Sequence, residues 1–501
     1  MKQAQRSLVA AVVATAAYIF GGAPAQAADY WFLKATPSLK PQAAAVPAEP
    51  AIALSAGVLP DGMEGKAYSF DLKTLTQVTA GPGIGSAQYA LGGGSLPTGI
   101  SLSNEGQLAG TPTALTAPEG AGFTVVGTYV DKTGQQVYTI KVGESTLDAT
   151  QIAAGSSHSC AITTAGGMKC WGMNAYGQLG NGTKTSSTVP VQVFGLTSGV
   201  TQISASDSSC AVHGGSVKCW GLNFSGQLGN GTKVDAVVPQ QVSGLTSGMR
   251  SVSLGSAHAC ALSTAGAVTC WGTNTAGELG DGTQTSSTVP VQVTGLQTGA
   301  TAVSSGNGVA CAIVSGSAKC WGSNGDGTLG NGGNLNSSVP VQVSGLTSGV
   351  SSLGVGAGTG VSFACAVTSG VAKCWGNNAK GQLGNGTTNS SNVPVQALGL
   401  TSGVTSISTG GEHTCALHNG VAKCWGHNGY GQLGDGTITN ASAPVLVSGQ
   451  SGTSGQISAG AGHTCALLNG SPRCWGRGGS GRLGNGSTAT SRTPVVVKAG
   501  N

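Results

Sequence analysis

Charged side chains supply only 8% of this 501-residue chain and aromatic ones only 5%. With so few rings the core cannot rely on bulky side chains, and the composition suits tight turns and sheets rather than long helices. After residue 20 no stretch approaches the run of about 20 apolar residues that a spanning helix needs, so the mature chain is expected to be soluble. Carboxylates are scarce from residue 151 onward, where only Asp207, Asp235, Glu278, Asp281, Asp326, Glu412 and Asp435 occur. No paired acid and base emerges from them, so an enzyme is not expected. What the chain has in excess is glycine, at 87 residues.

The N-terminus reads as an export signal. Lys2 and Arg6 precede the apolar run Leu8 to Phe20, and the small-residue site Ala25-Gln26-Ala27 follows. Cleavage is expected after Ala27, and the absence of any cysteine before Cys160 excludes a lipoprotein. This places the mature chain in the periplasm, at the cell surface or outside the cell. Residues 28–50 form an Ala/Pro-rich linker.

All 14 cysteines fall into seven pairs: Cys160 and Cys170, Cys210 and Cys219, Cys260 and Cys270, Cys311 and Cys320, Cys365 and Cys374, Cys415 and Cys424, Cys465 and Cys474. Their separations of 9 or 10 positions are unlike the short gaps of zinc knuckles. Disulfides are expected, no metal site, and an oxidising compartment. The turn residues test this independently. Five pairs centre on Gly214-Gly215, Ser315-Gly316, Ser369-Gly370, Asn419-Gly420 and Asn469-Gly470, which suit two-residue primed turns. The other two centre on Thr164-Ala165-Gly166 and Thr264-Ala265-Gly266, three-residue loops with glycine at the left-handed position. Both geometries put the two cysteines directly opposite across a hairpin, on a non-hydrogen-bonded rung.

A Cys-Trp-Gly tripeptide recurs at Trp171, Trp220, Trp271, Trp321, Trp375, Trp425 and Trp475, at steps near 50 residues. A strand-rich repeat of that length implies a propeller with four short strands per copy. The indoles should fill equivalent spaces between neighbouring sheets. Pro190, Pro239, Pro290, Pro340, Pro394, Pro444 and Pro494 open a Val-rich strand that is expected outermost.

Upstream, residues 51–143 show short alternating runs such as Phe123 to Tyr129 and Val137 to Val142, the signature of a small β-sandwich. The segment Leu96-Pro97-Thr98-Gly99-Ile100-Ser101-Leu102, with Gly106-Gln107-Leu108-Ala109-Gly110-Thr111-Pro112, resembles the immunoglobulin-like modules of bacterial surface proteins. Related modules bind calcium, but Asp61, Glu64, Asp71, Glu105 and Asp131 lack ligand-loop spacing and read as solvated acids. The expected role is a spacer or adhesive module.

The repeated elements, represented by Ala153-Gly155, His158, Ala161, Trp171-Gly172, Asn174 and Gly177-Gln178-Leu179-Gly180-Asn181-Gly182-Thr183, closely resemble the regulator of chromosome condensation repeat. That resemblance implies a seven-bladed propeller over residues 147–499. Departures occur at Ser208, Val309 and Phe363, where the histidine is missing, and at Arg477-Gly478, where the asparagine is lost. The overall expectation is all-β: an immunoglobulin-like sandwich followed by seven four-stranded blades. The family's founding member exchanges guanine nucleotide on a small nuclear GTPase and binds chromatin, and an oxidising destination argues against both. None of its exchange residues maps onto the repeat motif, so exchange is kept only as a distant alternative.

His158, His258, His413 and His463 share one repeat position and are expected to be structural, bonding backbone, rather than metal ligands. From residue 151 there are 14 Lys and Arg against seven acids, while residues 28–150 carry six against ten. Lys169, Lys218, Lys319, Lys373, Lys423 and Arg473 precede the second cysteine, with stems expected to pack across alanine; an anion-attracting ring is the alternative. The glycine-rich loops keep a Gly, Leu and Gly frame while the two positions before the first frame glycine vary. These carry Tyr176, Phe224, Asp326, Lys380 and Tyr430, with His427 and Arg477 beside them. Two explanations stay open, neutral drift on a solvent-facing loop or a partner surface rich in interaction hot spots. The expected function is a monomeric, cofactor-free binding protein that recognises a protein or surface glycan, not nucleic acid. An inhibitor of an extracellular enzyme is the alternative, because a β-lactamase inhibitor family uses a similar propeller.

Overall fold

The computed structural model describes residues 49–79, 85–117, 119–143, 145–358, 362–450, 454–468 and 471–500. The segments read as an export signal, most of the expected linker and the turn expected at Asn469-Gly470 lie outside the described residues.

Alternation of apolar and polar residues organises the first domain. Strand Ala121–Tyr129 buries Phe123, Val125, Gly127 and Tyr129 and pairs with Gln88–Gly94 and Lys132–Ile140 on its two sides. A second three-stranded sheet runs Tyr68–Asp71, Gln107–Gly110, Ile100–Leu102. One core joins the two sheets, built from Tyr68, Leu72, Leu108, Phe123, Val125, Tyr138 and Ile140.

Seven four-stranded antiparallel sheets follow, each contiguous in sequence and ordered first to fourth strand. In blade 1 the strands are Ala149–Ala154, His158–Thr163, Met168–Gly172 and Ser187–Gln192. Blades 2 to 7 occupy 200–241, 249–292, 300–342, 350–396, 404–446 and 454–496. First strands line the central axis. Fourth strands pair only with third strands, so the proline-bearing strand is the outer edge. The prolines sit inside that strand rather than at its start: Pro190 is the fourth residue of Ser187–Gln192, beside a register shift between Cys170 and Gly172. An edge strand tolerates the missing N–H there.

The hairpins form as the turn residues dictate. Gly214 and Gly215 have φ of 57° and 78°, and Asn419 and Gly420 have 52° and 77°, the left-handed pair that a primed two-residue turn requires. Cys160 therefore faces Cys170, and every other pair is likewise in register, with Cα atoms 4.0–4.1 Å apart. All seven bridges form within their own blade and no cysteine is free.

Blades are held together by the tryptophans and by polar clamps. Trp220 packs against Cys160, Ile162, Met168 and Cys170 of the preceding blade. Each indole N–H donates to a carbonyl of that blade, such as Gln178 O for Trp220 and Arg482 O for Trp171, at 2.8–3.0 Å. A β-carbon on Gly180, whose φ is 64°, would stand 2.5 Å from Trp220 Nε1. The frame glycine thus gives the indole its seat. Around the axis, side chains satisfy the open edge of each first strand: Leu254 N donates to Ser204 Oγ and Ser305 N to Ser253 Oγ. The same clamp closes the ring, since Ile152 N donates to Gln456 Oε1 at 2.8 Å and Ala154 N to Ser458 Oγ at 3.0 Å. Residues 145–147 add a short pairing with 497–499 through Leu147 N to Val497 O and Ala499 N to Ser145 O.

Candidate functional site

Antiparallel connectivity sorts the loops. The first-to-second and third-to-fourth connections emerge on one face, and the hairpins and blade-to-blade links on the other. The chain enters blade 1 on the hairpin face, where Asp148 O accepts from Thr164 N. The face carrying the long loops is opposite that entry.

A repeated asparagine builds those loops. Asn174, Asn223, Asn274, Asn324, Asn378 and Asn428 are fully buried, and each Oδ1 accepts the leucine N–H five residues on at 2.8–3.0 Å. In blade 1 the Nδ2 donates to Thr183 O and Thr185 O, tying the far side of the loop back. Blade 7 lacks the asparagine, and there the backbone closes so tightly that a β-carbon on Gly478 would overlap Ala489 O. Asp281 and Asp435 accept the N–H of Thr283 and Thr437 at 2.9 Å, a turn role that Asn181 fills in blade 1. On this rigid frame Tyr176 is 40% exposed, Phe224 63% and Tyr430 40%.

The structure gathers only some of the sequence candidates. His427 and Tyr430 of blade 6 meet edge to face at 6.0 Å, and Arg477 of blade 7 lies over the Tyr430 ring at 5.1 Å. His427 Nδ1 is 2.8 Å from Gln432 Nε2 and 3.8 Å from Glu412 Oε2. Burial holds the His427 pKa below its ordinary value, Glu412 opposes that, and Lys380 adds to it. Beneath them Arg482, only 4% exposed, donates to Gly479 O and Ser156 O, with no carboxylate in salt-bridge range among the described residues. Burial and the neighbouring Arg477 lower its pKa to about 10. Tyr176 and Phe224 stand apart, with no ring contact to this cluster among the described residues. Asp326 has its oxygens engaged by Ser362 N at 3.1 Å and Asn377 Nδ2 at 3.2 Å.

Arg482 and Glu278 were not among the sequence candidates, although a signal was present: both replace the frame glutamine of sister copies. The histidines need a correction. They bond the hydroxyl of the next blade, not backbone: His158 Nε2 lies 2.7 Å from Ser209 Oγ, His413 Nε2 2.8 Å from Thr464 Oγ1, and His463 Nε2 2.8 Å from Ser159 Oγ. His258 has no such partner for Nε2, because blade 4 offers Ala310. Lys169 pairs with Ala161 across the sheet, and its ammonium reaches Ala499 O at 2.9 Å.

The axial cavity, about 360 Å³, is lined among the described residues by serine, threonine, glutamine, glycine and aliphatic side chains, none of them ionisable. Among the described residues no group of three or more His, Cys, Asp or Glu is placed to hold a metal, and no helix is long and apolar enough to cross a membrane.

The regulator of chromosome condensation (RCC1) repeat profile matches residues 166–212, 214–262, 265–313, 315–365, 374–417 and 424–467. A second RCC1 repeat profile matches 149–178 and 249–278. Each match in the first set starts just before or within the third strand of one blade and ends in the second strand of the next, so six segments link seven blades. The Putative Ig domain profile matches residues 38–143. No curated protein sequence gives a significant match. Among solved structures, human WBSCR16 superposes with a TM-score of 0.58 at 21% identity, covering 71% of this chain and 94% of its own. Yeast RCC1 (Prp20), solved bound to Kap60, gives 0.53 at 20% identity over 62% of this chain and 78% of its own. Likeness at these identities is one of fold. Through its repeats, which match more than half its length, the chain belongs to the regulator of chromosome condensation repeat family.

Proposed function

We propose that this protein is an exported, non-catalytic recognition module that binds a protein or surface glycan through the long-loop face of its propeller. The observation that carries this reading is the division of the loops into a buried, repeated frame and an exposed, variable rim bearing Tyr176, Phe224 and Tyr430. Large rings held in solvent by a rigid frame lose little conformational freedom on binding, which is why aromatic residues dominate interaction hot spots. The seven intrablade disulfides support an oxidising destination.

The partner is to be captured by cross-linking on intact cells and identified by mass spectrometry. Changing Tyr176, Phe224 and Tyr430 together to alanine is then expected to cost about 2 kcal/mol or more in binding and to leave thermal unfolding nearly unchanged. Undiminished affinity would move the surface to the lysine positions of the third strands or to the immunoglobulin-like domain. Titration against secreted hydrolases addresses the inhibitor alternative, for which stoichiometric inhibition is the signature.

A further inference from the structure

The frame glutamine does the same work in four copies. Oε1 of Gln178, Gln227, Gln382 and Gln432 accepts the backbone N–H two residues earlier at 2.8–3.0 Å. In blade 3 Glu278 takes this place, and its Oε2 accepts Ala276 N at 2.7 Å. In these five blades the position supplies one acceptor oxygen, a task that needs no charge. Glu278 is only 5% exposed, and its second oxygen, Oε1, has no hydrogen-bond or ion-pair partner among the described residues. The charge adds nothing to the frame hydrogen bond, which glutamine makes equally well in the four sister copies.

That oxygen borders a cleft of about 370 Å³ between blades 3 and 4, which Asn307, Ser323, Asp326 and Ser362 also line. The facing wall at Gly308 is bare backbone, where a β-carbon would stand 4.0 Å from Oε1. Asp326 adds a second carboxylate, although its oxygens are already bonded, and among the described residues no cation lines the cleft. A single free carboxylate oxygen in so large a space does not make a metal cage, which takes six to eight oxygen ligands for calcium. It does match the tip of an extended cationic side chain, whose N–H would give Oε1 a charge-assisted hydrogen bond. We propose that this cleft is a subsite for an arginine or lysine side chain of a protein that docks on the long-loop face. The proposal rests on the recognition role argued above and narrows its ligand to a protein with a protruding basic residue.

The test uses the full exported chain, immobilised, with a phage-displayed random peptide library as the probe. Glu278→Gln is the matched variant; because four sister copies carry glutamine there, it should fold and melt like the wild type. Selection on the wild type is expected to enrich peptides with a fixed Arg or Lys. Their affinity should fall at least tenfold on Glu278→Gln, and equally when that basic residue is replaced by glutamine. Peptides that bind the variant unchanged, peptides with no basic residue, or no enrichment at all would overturn the subsite. Peptides weakened by the triple aromatic change but not by Glu278→Gln sink the subsite and keep the face. Peptides indifferent to both sink the two readings together.

Discussion

Acidification from pH 7 to about 5 is expected to remove roughly 7 kcal/mol of stability from the propeller, because four neutral imidazoles are locked inside it. Burial lowers the pKa of His158 and His413 to about 3 and of His258 to about 4, and holds His463 well below its usual value. The hydrogen bonds show why they stay neutral. Ser209 Oγ donates its one proton to Gln178 O, and Thr464 Oγ1 donates to Gln432 O, so each hydroxyl can only accept from histidine Nε2–H. The second proton would go to Nδ1, which has no partner in His158, His413 or His463. Since the folded pKa values lie below the unfolded one near 6.5, the unfolded chain binds more protons. Stability is then complete above about pH 6.5 and is lost as pH falls toward about 3 to 4, at close to 1.4 kcal/mol per histidine per pH unit. Denaturant titrations at pH 7, 6 and 5 check the slope. His258→Val, which installs the residue blade 4 carries as Val309, should lower that slope by about a quarter. A slope indifferent to that change would contradict the account.

These histidines also mark where sequence reasoning stopped. Cysteine spacing and turn residues were enough for the hairpins, because cross-strand register depends only on the few residues between the strands. The axial clamps and the histidine partners depend on the neighbouring blade, about 50 positions away, and a repeat read one copy at a time does not expose them. Comparing successive copies does. His158, His413 and His463 are answered by Ser209, Thr464 and Ser159 in the next blade, whereas Ser208 and Val309 are answered by Ala259 and Ala364. His258, followed by Ala310, breaks the correlation, as does Thr414 after Phe363. The long-loop rim was partly legible for the same reason: its variability shows in a comparison of copies, and the aromatic positions proved exposed. The pairing of Asp326 with Asn377 and Ser362 was not, since it depends on how loops of adjacent blades meet.

Reduction of the disulfides is expected to have a larger effect still, and to be slow. The core between blades 1 and 2 is built from aliphatic and sulfur side chains, Cys160, Ile162, Met168, Cys170, Leu179 and Val193 among them, with Trp220 as its one aromatic ring. All 14 cysteines are fully buried, so a dissolved thiol can reach them only through opening of the blade. Closing a loop of about ten residues removes roughly 2.7 kcal/mol of chain entropy from the unfolded state, so seven bridges sum to at most about 19 kcal/mol. That exceeds the typical 5 to 15 kcal/mol by which a domain is stable, so the reduced propeller should not fold even where the oxidised one is well formed. The expected result has two parts. In native buffer with millimolar dithiothreitol, free thiols appear at the rate of blade opening, far more slowly than in an unfolded control. After denaturation and full reduction, refolding with the reductant retained yields no cooperative melt, whereas reoxidation restores one. Replacing a single pair, Cys160→Ala with Cys170→Ala, should cost about 3 kcal/mol and leave six intrablade bridges in the unreduced peptide map. A reduced protein that melts like the oxidised one would show that the tryptophans and interblade clamps suffice, and that the bridges serve only to resist proteolysis.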